Sequence, residues 1–305
     1  MKVSNTVLDF IGKTPMIKLD FPDIEATIYA KLEYLNPSGS IKDRIAKYMI
    51  EQAEKRGDLK PGYTIVEATS GNTGIAFSMV SAAKGYKMIV VMPEVMSIER
   101  RRIMQAYGAQ VVLTPAKEFV EGSVRKAKEI ASQPKHWLAG QFTNPDNVAA
   151  HRETTGKEIL EQTGGKVDAF VAGVGTGGTL MGVAEALRAH NPNVKIIGVE
   201  PAGSPVISKG GPAGPHKIEG IGDGFIPDIV DVSKVDDWIL VTDEEAIGMA
   251  RRLSRERGLF VGISSGANVV AARKVAEKLG KGKVVVTVLP DSADRYYSTD
   301  LFKEE

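Results

Sequence analysis

Three glycine loops and one lysine carry the residues of this sequence that could do chemistry. "EATSGNTG" (67–74), "GVGTGGT" (173–179) and "GISSGAN" (262–268) each stand between an apolar run and a helical pattern or open a helix. Such a position aims backbone N–H groups and the positive end of a helix at a ligand, which suits an anion. All three loops are rich in hydroxyls: Thr69, Ser70 and Thr73; Thr176 and Thr179; Ser264 and Ser265. Helix capping explains any one of them, but three together point to phosphate or carboxylate binding. In "NPSGSIKDR" (36–44), Lys42 opens a helix just after a Gly-Ser turn. The positive helix end disfavours a charged ammonium there. A partly neutral lysine amine is suited to Schiff-base chemistry; an exposed surface lysine is the alternative.

Gly173, Gly175 and Gly178 also spell G-x-G-x-x-G, after the apolar run 169–172 and before a helical pattern over 180–190. A second strand pattern at 194–199 ends at Glu200. Alone, this is the dinucleotide fingerprint, with Glu200 in the ribose-binding place. An NAD-dependent dehydrogenase is therefore the remote alternative. A dehydrogenase would concentrate its signals in the first such unit, whereas here three comparable loops are spread along the chain.

The elements that must position these loops alternate almost throughout. Strand patterns fall at 28–32, 64–68, 87–92, 111–114, 169–172, 194–199, 239–241 and 284–289. Helical patterns fall at 42–56, 74–84, 98–107, 122–132, 148–162, 180–190 and 243–257, with one more from 262. Repeated strand–helix units imply an α/β fold with mostly parallel sheets wrapped by helices. The Gly- and Pro-rich stretch 204–228 has no periodicity, and a loop of that length is usually functional. "ERRRIM" (99–104) reads as a solvated helix face, and Trp137 and Trp238 as packing residues.

The bulk numbers narrow the function classes. The chain has 305 residues, enough for two domains, with 43% hydrophobic and 25% charged residues. A net charge of +1 gives no reason to expect a nucleic-acid or membrane partner. No apolar run approaches the ~18 residues of a membrane span, and "MKVSNTVLDFIGKTP" lacks a signal-peptide core, so a cytoplasmic location is expected. There is no cysteine, and none of the four histidines stand at i,i+3 or i,i+4, so no metal site is expected.

Taken together, "FIGKTPMIKL" (10–19), "NPSGSIKDR", "TSGNTG", "PEVMSIERRRIMQAYGAQVVLTP" (93–115), "GTGGT", "GPHKIEGIGDGFIP" (214–227), "GISSGA" and "LPDSADRYYSTDLF" (289–302) resemble, in order and spacing, the fold-type-II pyridoxal-phosphate enzymes. The similarity is greatest to the O-acetylserine sulfhydrylase (cysteine synthase) branch and covers essentially the whole chain. It implies a tryptophan synthase β-like fold with the cofactor in the interdomain cleft. A smaller, mobile substrate-binding domain would comprise 1–12 and 35–143, and a larger cofactor-binding domain 13–34 and 144–305.

The resemblance also implies roles. Lys42 would form the Schiff base with pyridoxal phosphate and later act as base at Cα. Gly175, Thr176, Gly177, Gly178 and Thr179 would cradle the phosphate, which leaves Glu200 structural. Asn72 would bind the 3′ oxygen, and Ser264 would face the pyridine nitrogen, with Ser265 the weaker candidate. Thr69, Ser70, Thr73 and Gln141 would bind the substrate α-carboxylate. Gly220 and Gly222 would approach from the other side, where side chains would collide. The implied reaction is β-replacement: O-acetyl-L-serine and sulfide give L-cysteine and acetate through an α-aminoacrylate intermediate. A homodimer is implied, and a serine acetyltransferase is a possible partner. The runner-up is a cystathionine β-synthase-type enzyme using homocysteine with serine or O-acetylserine. Asp223 departs from both patterns, since a tyrosine or a small residue is usual there. His151 and His216 show no base partner in the sequence; for His216, in "GPHKI", a loop-stabilising hydrogen bond is expected.

Overall fold

The computed structural model describes residues 3–69 and 71–303, so Ser70 lies outside the described residues. The chain forms two compact units: Met1–Gly12 with Asn36–Asn147, and Lys13–Leu35 with Val148–Glu305. Among the described residues no helix is long and apolar enough to cross a membrane.

In the smaller unit, strands β3 (Thr64–Ala68), β4 (Lys87–Pro93), β5 (Gln110–Thr114) and β6 (His136–Leu138) form a sheet in the order β5-β4-β3-β6. Every pairing is parallel. Each residue of β3 is buried, as a central parallel strand covered on both faces requires. Helices α1 (Lys42–Arg56), α2 (Asn72–Lys84), α3 (Ile98–Ala106) and α4 (Phe119–Ala131) connect the strands. Helix α1 buries Ile45, Met49, Ile50 and Ala53, its one apolar stripe. It stops at Gly57, whose φ of 80° lets its N–H reach back to Ala53 and Glu54 carbonyls.

In the larger unit, β1 (Met16–Leu19), β2 (Thr27–Leu32), β7 (Ala169–Gly173), β8 (Lys195–Pro201), β9 (Asp237–Val241) and β10 (Val284–Leu289) form a sheet in the order β1-β2-β10-β7-β8-β9. The sheet is parallel except for the edge pair β1–β2. Its helices are α5 (Asp146–His151), α6 (Lys157–Thr163), α7 (Gly178–His190), α8 (Val206–Lys209), α9 (Asp243–Arg257) and α10 (Ile263–Leu279). A π-turn, Arg152–Gly156, interrupts the pattern predicted as one helix over 148–162. The stretch 204–228 also departs from expectation, because it contains α8. Glu200 organises that helix: its two carboxylate oxygens accept from the Ile207 and Ser208 N–H groups, each at 2.8 Å. The rest of the stretch is pinned by Ile218 and Ile221, both buried in the main core.

A buried lysine ties β2 to α6. Lys31 Nζ donates to the Thr14 carbonyl at 2.8 Å and pairs with Glu158 at 2.7 Å. Helix α9 begins with a capping box between Thr242 and Glu245. Thr242→Ala should therefore cost about 1 kcal/mol of stability, read as a lowered urea midpoint with an unchanged slope.

Candidate active site

Both sheets place their polar loops by the same topological device. In the smaller unit the chain runs outward from β3 to β4 to β5, then returns to β6 on the other side of β3. In the larger unit it runs from β7 to β8 to β9, then returns to β10 on the other side of β7. Strand order thus reverses between β3 and β6, and again between β7 and β10. At such a switch point the connections leave in opposite directions and open a crevice beyond the carboxyl ends of the strands. Thr69 and the start of α2 follow β3, Gln141 follows β6, and the loop that leads into α7 follows β7.

At the smaller unit's switch point, Thr69, Thr73 and Gln141 come together, all buried. Thr73 Oγ1 donates to Gln141 Oε1 at 2.7 Å, and Gln141 Nε2 donates to the Ala68 carbonyl at 2.8 Å. Thr69 Oγ1 accepts from the Gly71 N–H at 3.0 Å. Asn72 is the first residue of α2, half-buried at the helix start. Lys42 is the first residue of α1, which packs against α2. The turn before Lys42 is braced locally. Gly39 adopts φ 84°, Ser38 N–H donates to Asp43 at 2.7 Å, the Ser38 hydroxyl also donates to Asp43, and Lys42 N–H donates to Ser40 Oγ at 3.2 Å. Lys42 itself is half-buried, not exposed as an ordinary surface lysine would be.

Two residues behind this cluster escaped the sequence. Arg100 is only 3% exposed, so the solvated-face reading of "ERRRIM" is wrong for it. A Cβ built on Gly71 would lie 2.5 Å from Arg100 Cδ, so the arginine stem lies directly on the loop backbone and position 71 has no room for a side chain. Only the fold reveals which of three adjacent arginines turns inward. The second is Glu67, buried at the end of β3. Its Oε2 accepts from the Gly140 N–H at 2.7 Å. Burial pushes its carboxyl from the ordinary 4.5 up to about 8, against the opposing pull of N–H donors from Gly140, Gln141 and Ala68. Between these two values the folded protein holds a proton that the unfolded chain has lost, so stability falls as pH rises through that window. Glu67→Gln should flatten this slope, read as thermal midpoints from about pH 5 to about pH 9. A slope unchanged in the variant would refute the assignment.

At the larger unit's switch point, Gly175–Thr179 leads into α7. Gly177 has φ 86°, and a Cβ on Gly175 would lie 2.4 Å from the Gly220 carbonyl, so the loop is a close-packed backbone cradle. Gly178 N–H donates to Thr176 Oγ1 at 3.4 Å, and Thr179 Oγ1 lies 3.3 Å from His151 Nε2. Gly222 needs glycine twice over, with φ 72° and a would-be Cβ 2.7 Å from Pro201. Within the protein, Gly220 needs glycine for its φ of 93°, because a Cβ there meets no protein atom within 4 Å. His216 Nε2 lies 3.0 Å from the Gly222 carbonyl oxygen and steadies this turn. Asp223 approaches the loop, its Oδ2 3.4 Å from the Cβ that Gly175 lacks.

The third loop joins the second. Asn268 Oδ1 accepts from the Gly173 N–H at 2.8 Å, and its Nδ2 donates to the Val288 carbonyl at 2.9 Å. The second turn of α10 is thereby fastened to the ends of β7 and β10. Ser264 and Ser265 are both buried there, and among the described residues Ser265 Oγ has no hydrogen-bond partner. The Asp291 and Tyr296 side chains crowd Gly262, where a Cβ would lie 2.2 Å from Asp291 Oδ1, and so set where α10 starts.

The larger unit's site fits one phosphate monoester and a polar ring. A glycine-rich loop at a helix start, two threonine hydroxyls and the buried Ser264 and Ser265 hydroxyls, that of Ser265 without a partner among the described residues, supply donors for a compact dianion and its attached heterocycle. A dinucleotide fits poorly, because Glu200, the acidic residue near the end of β8, has both oxygens occupied by the α8 backbone.

These features define an α/β enzyme of the phosphate-anchored cofactor class. Residues 7–291 match the family described as pyridoxal-phosphate dependent enzyme, and the chain belongs to that family. Cysteine synthase from Staphylococcus aureus (strain N315) is 51% identical over 304 residues, which cover 99% of this chain and 98% of the relative. Among solved structures, cysteine synthase from Entamoeba histolytica superposes with a TM-score of 0.94 at 43% identity, covering 100% of this chain and 93% of that one. The O-acetylserine dependent cystathionine beta-synthase from Helicobacter pylori gives 0.93 at 44% identity, covering 99% and 100%.

Proposed function

We propose that the chain is a cysteine synthase, converting O-acetyl-L-serine and sulfide to L-cysteine and acetate by β-replacement. The observation that carries this reading is that each sheet gathers hydroxyl and backbone polar groups at its own switch point. The larger unit's cluster suits the cofactor phosphate, and the smaller unit's cluster suits an amino-acid carboxylate. The cysteine synthase of Staphylococcus aureus, alike over its full length, supports the same reading.

Pyridoxal phosphate, when bound, supplies the electron sink that lets Cα lose a proton and Cβ lose its leaving group. Lys42 would hold the cofactor through its Nζ, and that amine, when free, would take the Cα proton. Thr69, Ser70, Thr73 and Gln141 orient the substrate through its carboxylate. Asn72 holds the 3′ oxygen, Gly175–Thr179 hold the phosphate, and Gly220 and Gly222 close the far side. Ser264 offers the ring nitrogen a neutral hydroxyl. A carboxylate there would keep that nitrogen protonated, whereas a hydroxyl does not, so prompt elimination is favoured over transamination or racemisation.

Residues 1–12 and 35–143 act as a mobile substrate-binding domain and residues 13–34 and 144–305 as the cofactor domain, bounds that lie within four residues of the two compact units. The enzyme works in the cytoplasm as a homodimer, and serine acetyltransferase is its candidate partner. The test is a steady-state matrix of O-acetylserine and serine against sulfide and homocysteine. The highest kcat/KM is expected for O-acetylserine with sulfide. A preference for homocysteine would replace this reading with that of a cystathionine β-synthase.

A further inference from the structure

We propose that His151 is a positioning residue for the cofactor phosphate: its ring holds the Thr179 hydroxyl so that the hydroxyl hydrogen points at the phosphate. The inference rests on the phosphate role given to loop 175–179 above.

His151 ends α5 and is 1% exposed. It stands between two hydroxyls. Nδ1 lies 2.9 Å from Thr155 Oγ1, and Nε2 lies 3.3 Å from Thr179 Oγ1. Thr155 is fully buried, and among the described residues its hydroxyl bonds to nothing but this ring. A buried O–H is rarely left without an acceptor, so Thr155 donates to Nδ1. The ring then carries its proton on Nε2 and donates to Thr179 Oγ1. A hydroxyl that accepts on one side directs its own hydrogen to another. The opposite tautomer would strand the Thr155 hydrogen and spend the Thr179 hydrogen on the ring, leaving Thr179 with nothing to donate to an anion.

The local fold builds this contact. Gly182, one turn beyond Thr179 on α7, would place a Cβ 2.3 Å from the Val148 carbonyl and 2.7 Å from His151 Cβ. Gly156 would place one 2.4 Å from Ala186 Cβ. Two glycines on facing segments thus bring α7 against the backbone that carries His151. The π-turn Arg152–Gly156 sets Thr155 beside the ring; such turns cluster at functional sites.

The test is a double-mutant cycle on cofactor affinity, with pyridoxal phosphate as the probe, beside nitrogen NMR of the His151 ring and phosphorus NMR of the holoenzyme. His151→Leu should raise the cofactor dissociation constant about fivefold, which is about 1 kcal/mol, and move the phosphorus resonance. Thr179→Ala should cost a similar or larger factor, and the double variant no more than Thr179→Ala alone. His151→Gln, which keeps an N–H donor near Nε2, should recover most of the affinity. The ring should be protonated at Nε2. Additive losses, or a ring protonated at Nδ1, would overturn the proposal. If His151→Leu does not fold, the Gln variant and the ring tautomer decide. Failure of the unaltered protein to bind pyridoxal phosphate would instead overturn the cofactor reading itself.

Discussion

Lys42→Ala is expected to lower turnover by about three orders of magnitude or more, the scale of losing a proton-transfer group together with covalent attachment. The fold should survive. Lys42 starts α1, and alanine is the best helix former. The turn ahead of it is held by the Ser38 bonds to Asp43 and the left-handed Gly39, none of which needs the lysine side chain. Two measurements check this. Borohydride reduction of the unaltered holoenzyme should fix the cofactor on the peptide carrying Lys42, and the variant should show no such adduct while keeping its far-UV circular dichroism. Normal activity in the variant would refute the Schiff-base assignment.

The preferred leaving group is expected to be acetate, with kcat/KM for O-acetylserine exceeding that for O-phosphoserine by roughly tenfold or more. A second dianion needs an arginine or another free cation to grip it, and residues 214–228 contain no arginine. Their one cation, Lys217, is drawn away: its Nζ pairs with Asp300 at 2.5 Å, and its charge is further held by Asp243 and Glu244 nearby. Asp223, by contrast, stands against the phosphate loop at Gly175. One like charge at ~4 Å and an effective dielectric of ~20 costs on the order of 4 kcal/mol before screening. A fraction of that suffices, since ~1.4 kcal/mol is tenfold. Asp223→Asn should narrow the gap between the two esters. An equal or higher value for O-phosphoserine in the unaltered enzyme would refute the assignment.

The sequence determined the local layer of this protein. Hydrophobic periodicity marked α1 and α9 to the residue, because a glycine able to take positive φ stands directly after each, at Gly57 and Gly258. The strand patterns at 64–68 and 284–289 coincide with β3 and β10, since strands buried on both faces read as unbroken apolar runs. The glycine loops were legible for the same reason: close backbone approach and positive φ leave a mark in residue type. Glu200 was readable as structural only through the resemblance; its partners, the N–H groups of Ile207 and Ser208, carry no side-chain signal.

Tertiary structure alone decided what depends on contacts between distant segments. Strand β6 is three residues long and exists because β3 offers it a parallel edge; β1 is a strand because β2 pairs with it. Neither is long enough to declare a period. The two strand-order reversals, which gather Thr73 with Gln141 and Gly173 with Asn268, are properties of the sheets and of no single stretch. Arg100 and Glu67 share their residue types with many solvated side chains elsewhere in the chain, and His151 shares its type with the exposed His190. Burial beside a loop backbone is what gives each of them a role, and burial is settled by which helices and strands close over them.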